Sequence, residues 1–278
     1  MEYTFRIQNN MFAYEHDSKI VIEADSFEEA ESKAAEIDIY AKVTHLRGTN
    51  DMQFKDKIIL VDCDGVLMDW RYKFTRWMNE QGYQLKNDEI NYDVSIQFEL
   101  TEDEIYPLIE LFNQSAAMKY VPPHKDAIRL VKELHEAHGY VFHMITAQNH
   151  LMEGGYTTPG IEQARQWRIE NTKRLFGKTA FEEFHFTDFG DKAQYLDRYK
   201  DTGCWWIEDK WENAQQGLEF GLSPILMMHD YNEQHNDHDN VQSGDIIQVY
   251  DWADIYDTIV LGMPPNKYSE IPFGAMNI

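Results

Sequence analysis

Cysteine is scarce in this chain. Cys63 and Cys204 are the only two among 278 residues, and each stands beside an apolar run. Two cysteines so placed make neither a disulfide framework nor a metal set; they read as small buried hydrophobes in a reducing setting. Long apolar stretches are missing too: none approaches the roughly twenty residues of a membrane span. Met1-Glu2-Tyr3-Thr4 lacks the basic-then-apolar order of a secretory signal. A soluble, cytoplasmic protein with no membrane partner is the expectation. Basic residues are few, with 25 Lys and Arg against 49 Asp and Glu and a formal net charge of −24. A protein that grips a nucleic-acid backbone shows a basic stripe, and none is visible, so a polynucleotide partner is not expected. The charge reads as an aid to solubility, and one or two local cations would still suffice to hold a small anion.

What is present is a core-forming composition. With 43% hydrophobic residues, the chain is long enough for one large domain with a small appendage. Its most informative phrase is Ile58-Ile59-Leu60-Val61-Asp62-Cys63-Asp64-Gly65-Val66-Leu67-Met68-Asp69. An apolar run suited to one buried strand delivers two carboxylates onto a glycine turn. Strand periodicity sends Asp62 and Asp64 to the same face, where they would share one divalent cation and one phosphoryl group. Carboxylates this close repel, and a hard, oxygen-seeking ion such as Mg²⁺ is the natural compensation. A solvated acidic turn is the plain alternative for Asp-x-Asp-Gly taken alone.

The rest of the chain has a clear rhythm. Residues 3–8 and 19–24 predict short strands, and Ser26 with Glu29 predicts a capping box opening a helix with Phe27, Ala30, Ala34 and Ile37 on one face. This strand-strand-helix unit, residues 1–52, reads as a packing appendage or a contact between copies of the chain. A domain over 53–262 follows, with a helical insert at about 71–121 and an irregular stretch over 263–278. In the insert, one helix carries Phe74, Trp77 and Met78 up to Gly82, and another starts at Thr101 with Glu104 as its capping partner. Pro122-Pro123 opens a helix with Ile128, Val131 and Leu134. Strands at 140–145, 184–186, 204–207 and 224–228 then alternate with helices, including one at 161–176. Such alternation predicts a doubly wound parallel sheet, and ligands in such sheets bind at the carboxyl ends of the strands.

Candidate groups collect at those ends. Thr146 follows one strand and has a hydroxyl and an N–H to give a phosphate oxygen. Lys192 opens a helix, where its charge opposes the helix dipole unless it serves an anion. Glu208-Asp209 ends another strand as a second acidic pair. Taken singly these read as β-propensity, a solvated lysine and a helix cap; together, each after its own strand, they suit phosphoryl transfer. His229, His235 and His238 fit no familiar zinc spacing and read as a polar loop. The loop Met152-Glu153-Gly154-Gly155-Tyr156 borders the same region without an assignable role.

Taken in order, Asp62-Cys63-Asp64-Gly65-Val66-Leu67, Thr146, Lys192 and Glu208-Asp209 resemble the four motifs of the haloacid dehalogenase superfamily, over residues 57 to about 260. The first motif with Trp70, the insert directly after it, and Ile207-Glu208-Asp209-Lys210 are similar to the 5'(3')-deoxyribonucleotidases. The chain departs from them at Glu208, where they usually carry Asp, and at Ala147, where they tend to carry Ser. The resemblance implies a HAD-like Rossmannoid sheet with a helical cap and a Mg²⁺-dependent phosphomonoester hydrolase. In it Asp62 is the nucleophile forming an aspartyl-phosphate, and Asp64 the proton donor and acceptor. Mg²⁺ would be held by the Asp62 carboxylate, the Asp64 carbonyl and Asp209, with Glu208 orienting metal-bound water. Thr146 and Lys192 would hold phosphoryl oxygens. The implied substrate is a small phosphate monoester, a nucleoside monophosphate, under a cap that closes as a lid. Trp70 stands where those enzymes place a ring against the base; packing within the cap is the equal alternative. Two other functions stay open, a phosphatase for polynucleotide 3'-phosphate ends and a catalytically silent binding protein.

Overall fold

The computed structural model describes residues 2–9, 17–26, 29, 33, 41–48, 57–87, 91–148, 160–188, 190–233 and 238–262. Most of the expected helix after Ser26, the loop 152–156, His235 and the stretch 263–278 lie outside the described residues.

The amino-terminal unit is a three-stranded antiparallel sheet. Strands β1 (Glu2–Asn9), β2 (Asp17–Glu23) and β3 (Ala41–Gly48) stand in the order β2-β1-β3. The first two match the expected strands; β3 was not expected, because His45 interrupts its apolar alternation with polar residues. The expected cap is partly formed: Glu29 N donates to Ser26 Oγ at 3.2 Å, and the Glu29 carboxylate reaches back to Asp25 N at 3.0 Å.

The main unit is a six-stranded parallel sheet. It comprises β4 (Ile58–Val61), β5 (Val141–Ala147), β6 (Phe181–Thr187), β7 (Trp205–Glu208), β8 (Ser223–Met227) and β9 (Ile247–Val249). The spatial order is β6-β5-β4-β7-β8-β9, all neighbours parallel. This is the expected doubly wound α/β sheet. The chain runs outward from β4 on one side through β5 and β6, then returns to β4's other edge with β7. That reversal opens a crevice above the carboxyl end of β4, where ligands of such sheets bind.

Both faces are covered at the sheet's centre, where β4 carries the apolar run Ile58-Ile59-Leu60-Val61 and not an alternating pattern. Ile59, Val61, Phe142, Met144, Ile207 and Ile225 pack into one core cluster, and Leu60, Ile145 and Trp206 into another with Leu196 and Tyr199. Cys63 and Cys204 are free and buried.

The cap inserted after β4 holds helices α1 (Trp70–Glu80), α2 (Val94–Phe98) and α3 (Glu102–Asn113). Asp69 caps α1 by accepting from Tyr72 N at 3.0 Å, and Thr101 with Glu104 forms the expected capping box on α3. The cap's two stalks pair with each other: Asp69 N donates to Pro122 O at 2.9 Å and His124 N to Leu67 O at 3.0 Å. Helix α4 (Ala127–Glu136) buries Ala127, Leu130, Val131 and Leu134, whereas Ile128 is exposed, a correction to its expected place on the packed face. The remaining helices are α5 (Ile161–Phe176), α6 (Ala193–Leu196), α7 (Trp211–Glu219), α8 (Asp239–Ser243) and α9 (Trp252–Tyr256). Among the described residues no helix is long and apolar enough to cross a membrane.

Candidate active site

Strand β4 ends at Val61, so Asp62 is the first residue past the sheet, at the reversal point. Its backbone still follows the ladder, Asp62 N donating to Ile207 O on β7 at 2.9 Å. Its Oδ1 accepts from Cys63 N at 2.7 Å. Lys192, ahead of α6, brings Nζ to 3.0 Å from the same carboxylate and donates to both Glu208 oxygens at 3.2 Å. Lys192 is 1% exposed and Glu208 fully buried, so neither charge is offset by water. Asn213 Nδ2 also donates to Glu208 Oε1.

Asp62, Glu208 and Asp209 each offer a carboxylate oxygen, and the three oxygens lie within 4.8 Å of one another. The electrostatic signature is crowding. Burial, then the Asp62 charge, pushes the Asp209 carboxyl up to about 7, and Glu208 is raised well above the usual range for the same reasons. Burial works against the Lys192 ammonium, yet Asp62 and Glu208 outweigh it and raise its pKa. One lysine against three buried carboxylates leaves an excess of negative charge suited to a hard cation. Tyr231 donates to Asp209 Oδ2 at 2.6 Å, and Asn232 Nδ2 holds the Asp209 carbonyl at 2.8 Å.

Asp64 does not share this cluster through its side chain. The strand ends before it, and Gly65 (φ 77°) makes the turn that follows. Its Oδ1 lies 2.5 Å from Nη1 of Arg168, a 1% exposed guanidinium on α5. Burial raises the Asp64 pKa and Arg168 opposes that rise. The two acids of the motif thus meet different cations, Arg168 for Asp64 and Lys192 for Asp62. Gly65 itself is required for a second reason: a Cβ there would stand 2.2 Å from Asp209 Oδ2 and 2.9 Å from the Tyr231 hydroxyl.

Thr146 is buried near the end of β5, opposite Phe186 of β6. Trp70 packs inside the cap. Its ring stacks on Phe74 at 4.6 Å, meets Phe112 edge-on at 5.6 Å, and its indole N–H donates to Asn113 Oδ1 at 3.0 Å. The aromatic groups at the seam between cap and sheet are Tyr92 and Tyr231, in edge contact at 5.7 Å. Arg71 lies over Tyr231 and Lys210 over Tyr92. Tyr92 leaves half its surface exposed, while its hydroxyl is raised well above the ordinary range, first by burial and then by Asp209, Glu208 and Asp62. His229 bonds the Gly65 carbonyl at 2.7 Å and packs on His124, whereas His238 caps α8. These histidines support turns and helix ends.

Arg168, Tyr92 and Tyr231 were not among the expected site residues. A signal for Arg168 existed: the buried positions Ile161, Ala164, Arg168, Asn171 and Thr172 trace one helical face that is apolar only at its start. The two tyrosines lie in loops without periodicity.

No family model matches the chain, and no curated protein matches it. Solved structures do resemble it. A D,D-heptose 1,7-bisphosphate phosphatase from B. bronchiseptica, complexed with magnesium and phosphate, is 13% identical at a TM-score of 0.47, over 74% of this chain and 99% of that one. A HAD family IA hydrolase from Entamoeba histolytica is 15% identical at 0.44, over 73% and 99%. A HAD family hydrolase from Deinococcus radiodurans with bound phosphate and sodium is 18% identical at 0.43, over 73% and 94%. At such values the likeness carries no argument about chemistry, which rests on the site's own geometry.

Proposed function

We propose that this protein is a Mg²⁺-dependent phosphomonoester hydrolase acting through an aspartyl-phosphate, with a nucleoside monophosphate as substrate. The observation that carries the reading is the position of Asp62. It stands at the sheet's reversal point, with Lys192 at 3.0 Å on one side and the buried carboxylates of Glu208 and Asp209 within 4.8 Å.

The donor set fits Mg²⁺: the Asp62 and Asp209 carboxylates, with the Asp64 carbonyl, would hold the ion, and Glu208 stands beside it. When bound, the ion supplies positive charge where two anions must meet. The chain's own residues do the rest. Asp62 attacks phosphorus in line, and the phosphoryl group moves to its carboxylate as the bond to the leaving oxygen breaks. Lys192 and Thr146 hold phosphoryl oxygens, the lysine already fixed by Glu208. Asp64 gives its proton to the departing alkoxide and later takes one from the attacking water. The departure from paired aspartates is accommodated here, because Glu208 engages Lys192 with both oxygens.

For the substrate, the seam between cap and sheet offers the half-exposed ring of Tyr92 with Lys210 over it, while Tyr231 is already engaged by His229, stacked at 4.8 Å, and by Arg71. Ring stacking with adjacent cations suits a nucleotide base and its sugar-phosphate. Trp70 serves this reading indirectly, by holding the cap together.

The test is phosphate release, with and without Mg²⁺, from nucleoside monophosphates, ribose 5-phosphate and a 3'-phosphorylated oligonucleotide at matched concentration. Mg²⁺-dependent release, fastest from the mononucleotides and abolished in a folded Asp62→Asn variant, is expected. Turnover retained by Asp62→Asn would sink the mechanism; preference for the oligonucleotide would favour the end-processing phosphatase, and silence across the panel the binding protein.

A further inference from the structure

Helix α5 turns a polar stripe toward the base of the site, and every polar member of it is occupied. Arg168 Nη1 meets Asp64 Oδ1 at 2.5 Å, while Nη2 lies 3.9 Å from Met118 Sδ in the cap's second stalk. Asn171 Nδ2 donates to Val121 O at 3.0 Å and approaches Met68 Sδ, in the first stalk, at 3.3 Å. Thr172 Oγ1 closes back on the Arg168 carbonyl at 2.9 Å. The guanidinium therefore bridges the catalytic turn and the second stalk of the cap, while Asn171, one turn on, reaches both stalks. A charge buried this deeply is tolerated only against a well-placed partner, and that partner is Asp64.

The pair is asymmetric. Arg168 is 1% exposed, whereas the Asp64 side chain is 29% exposed. Oδ1 faces the arginine, and no hydrogen bond engages Oδ2 among the described residues. A carboxylate that rotated freely would present either oxygen at any angle. Held by one oxygen, it presents the other in one orientation.

We propose that Arg168 is a positioning residue that fixes Asp64 so that Oδ2 alone exchanges protons with the leaving and attacking oxygens. This rests on the hydrolase reading above. In the first step the oxygen of Asp62 bonds phosphorus and the bond from phosphorus to the leaving oxygen breaks. The proton on Asp64 Oδ2 passes to that leaving oxygen. In the second step a water oxygen bonds phosphorus, the bond from phosphorus to Asp62 breaks, and the water's proton returns to Oδ2. Arg168 keeps its own protons throughout and contributes geometry.

The readout is dependence on the leaving group. An alkoxide needs its proton; p-nitrophenolate leaves without one. Arg168→Gln, Arg168→Lys and wild type are compared on phenethyl phosphate and p-nitrophenyl phosphate with Mg²⁺, as leaving-group release in the first turnover with enzyme in excess, so that the second step, common to both esters, is not read; folding is checked by circular dichroism. Arg168→Gln is expected to slow the alkyl ester about 100-fold and the aryl ester less than about threefold. Arg168→Lys, which keeps a cation but reaches less far, restores part of the alkyl rate. Equal losses on both esters, or no loss, overturn the assignment. If Arg168→Gln does not fold, Arg168→Lys carries the comparison, with a loss confined to the alkyl ester expected and a uniform loss overturning it. A wild-type protein silent on both esters and on the nucleotide panel would instead overturn the hydrolase reading, and this inference with it.

Discussion

Replacing Lys192 by Met separates the two roles that a buried lysine plays here. The methionine keeps most of the apolar stem in the space beside Trp206, whose ring lies 5.1 Å from Nζ, and removes only the charge. Asp62 and Glu208, with side chains 11% and 0% exposed, then face each other and Asp209 without their shared cation. Breaking a buried ion pair from one side costs about 3–5 kcal/mol. At about 2–4 °C per kcal/mol for a large domain, the melting temperature should fall by roughly 6–20 °C. Glu208 is already reluctant to ionise and can escape part of that cost by taking a proton, so the loss should be larger at pH 8 than at pH 5. Measurement belongs in chelator, because a bound divalent ion would replace the missing charge. Adding Glu208→Gln to Lys192→Met removes the uncompensated carboxylate and leaves an amide oxygen to accept from Asn213. The double variant should recover most of the loss. Circular dichroism melts of the two single variants, the double and wild type complete the cycle. A Lys192→Met protein that melts like wild type, or a double variant no more stable than that single, would refute the claim that Lys192 compensates these acids.

Two further outcomes follow from the same cluster. Gly65→Ala forces a Cβ into a left-handed conformation, at about 1–2 kcal/mol, and against Asp209 Oδ2; phosphate release and Mg²⁺ affinity by calorimetry should fall together, and unchanged affinity would show that Asp209 is not the displaced group. In the metal-free protein Asp209 titrates at about 7 against an ordinary 3.8. The folded state then binds the extra proton, so stability is present at low pH and lost as pH rises from about 4 to about 7. Mg²⁺ needs the ionised carboxylate, so the rise in melting temperature on adding Mg²⁺ should grow from pH 5 to pH 8. A rise independent of pH would argue against Asp209 as a ligand.

The parallel sheet was legible in the sequence because its strands are covered on both faces. Continuous apolar runs such as 58–61 and 225–228 have few other uses in a chain this charged. Strand β9, three residues long with Gln248 at its centre, and β3, with His45 in its alternation, carry too little pattern to be found. Within the candidate site, Asp62, Lys192, Glu208 and Asp209 were legible because Asp62 directly follows β4, Glu208 and Asp209 close β7 and Lys192 opens α6, and the fold brings them together. Trp70 shows the limit of local reading. A tryptophan just after the first motif has two destinations, and only the positions of Phe74, Phe112 and Asn113 place it in the cap's interior.

The two acids of the first motif show why partners matter more than spacing. In the sequence they form a symmetrical pair, and a period of two would send them to one place. In the fold each acquires its own buried cation from a different element, Lys192 before α6 for Asp62 and Arg168 within α5 for Asp64. Few cations are available in a chain with 24 more negative than positive groups, and burying two of them is costly without function or exact pairing. Lys192 reaches an acid crowded by two other carboxylates, the one that the proposed mechanism makes the nucleophile. Arg168 reaches an acid that keeps an exposed edge, which suits one that must meet a leaving group and a water in turn. Under the proposed mechanism, the division of labour between nucleophile and proton carrier would follow from the cation each acid faces, although the sequence presents them as equals.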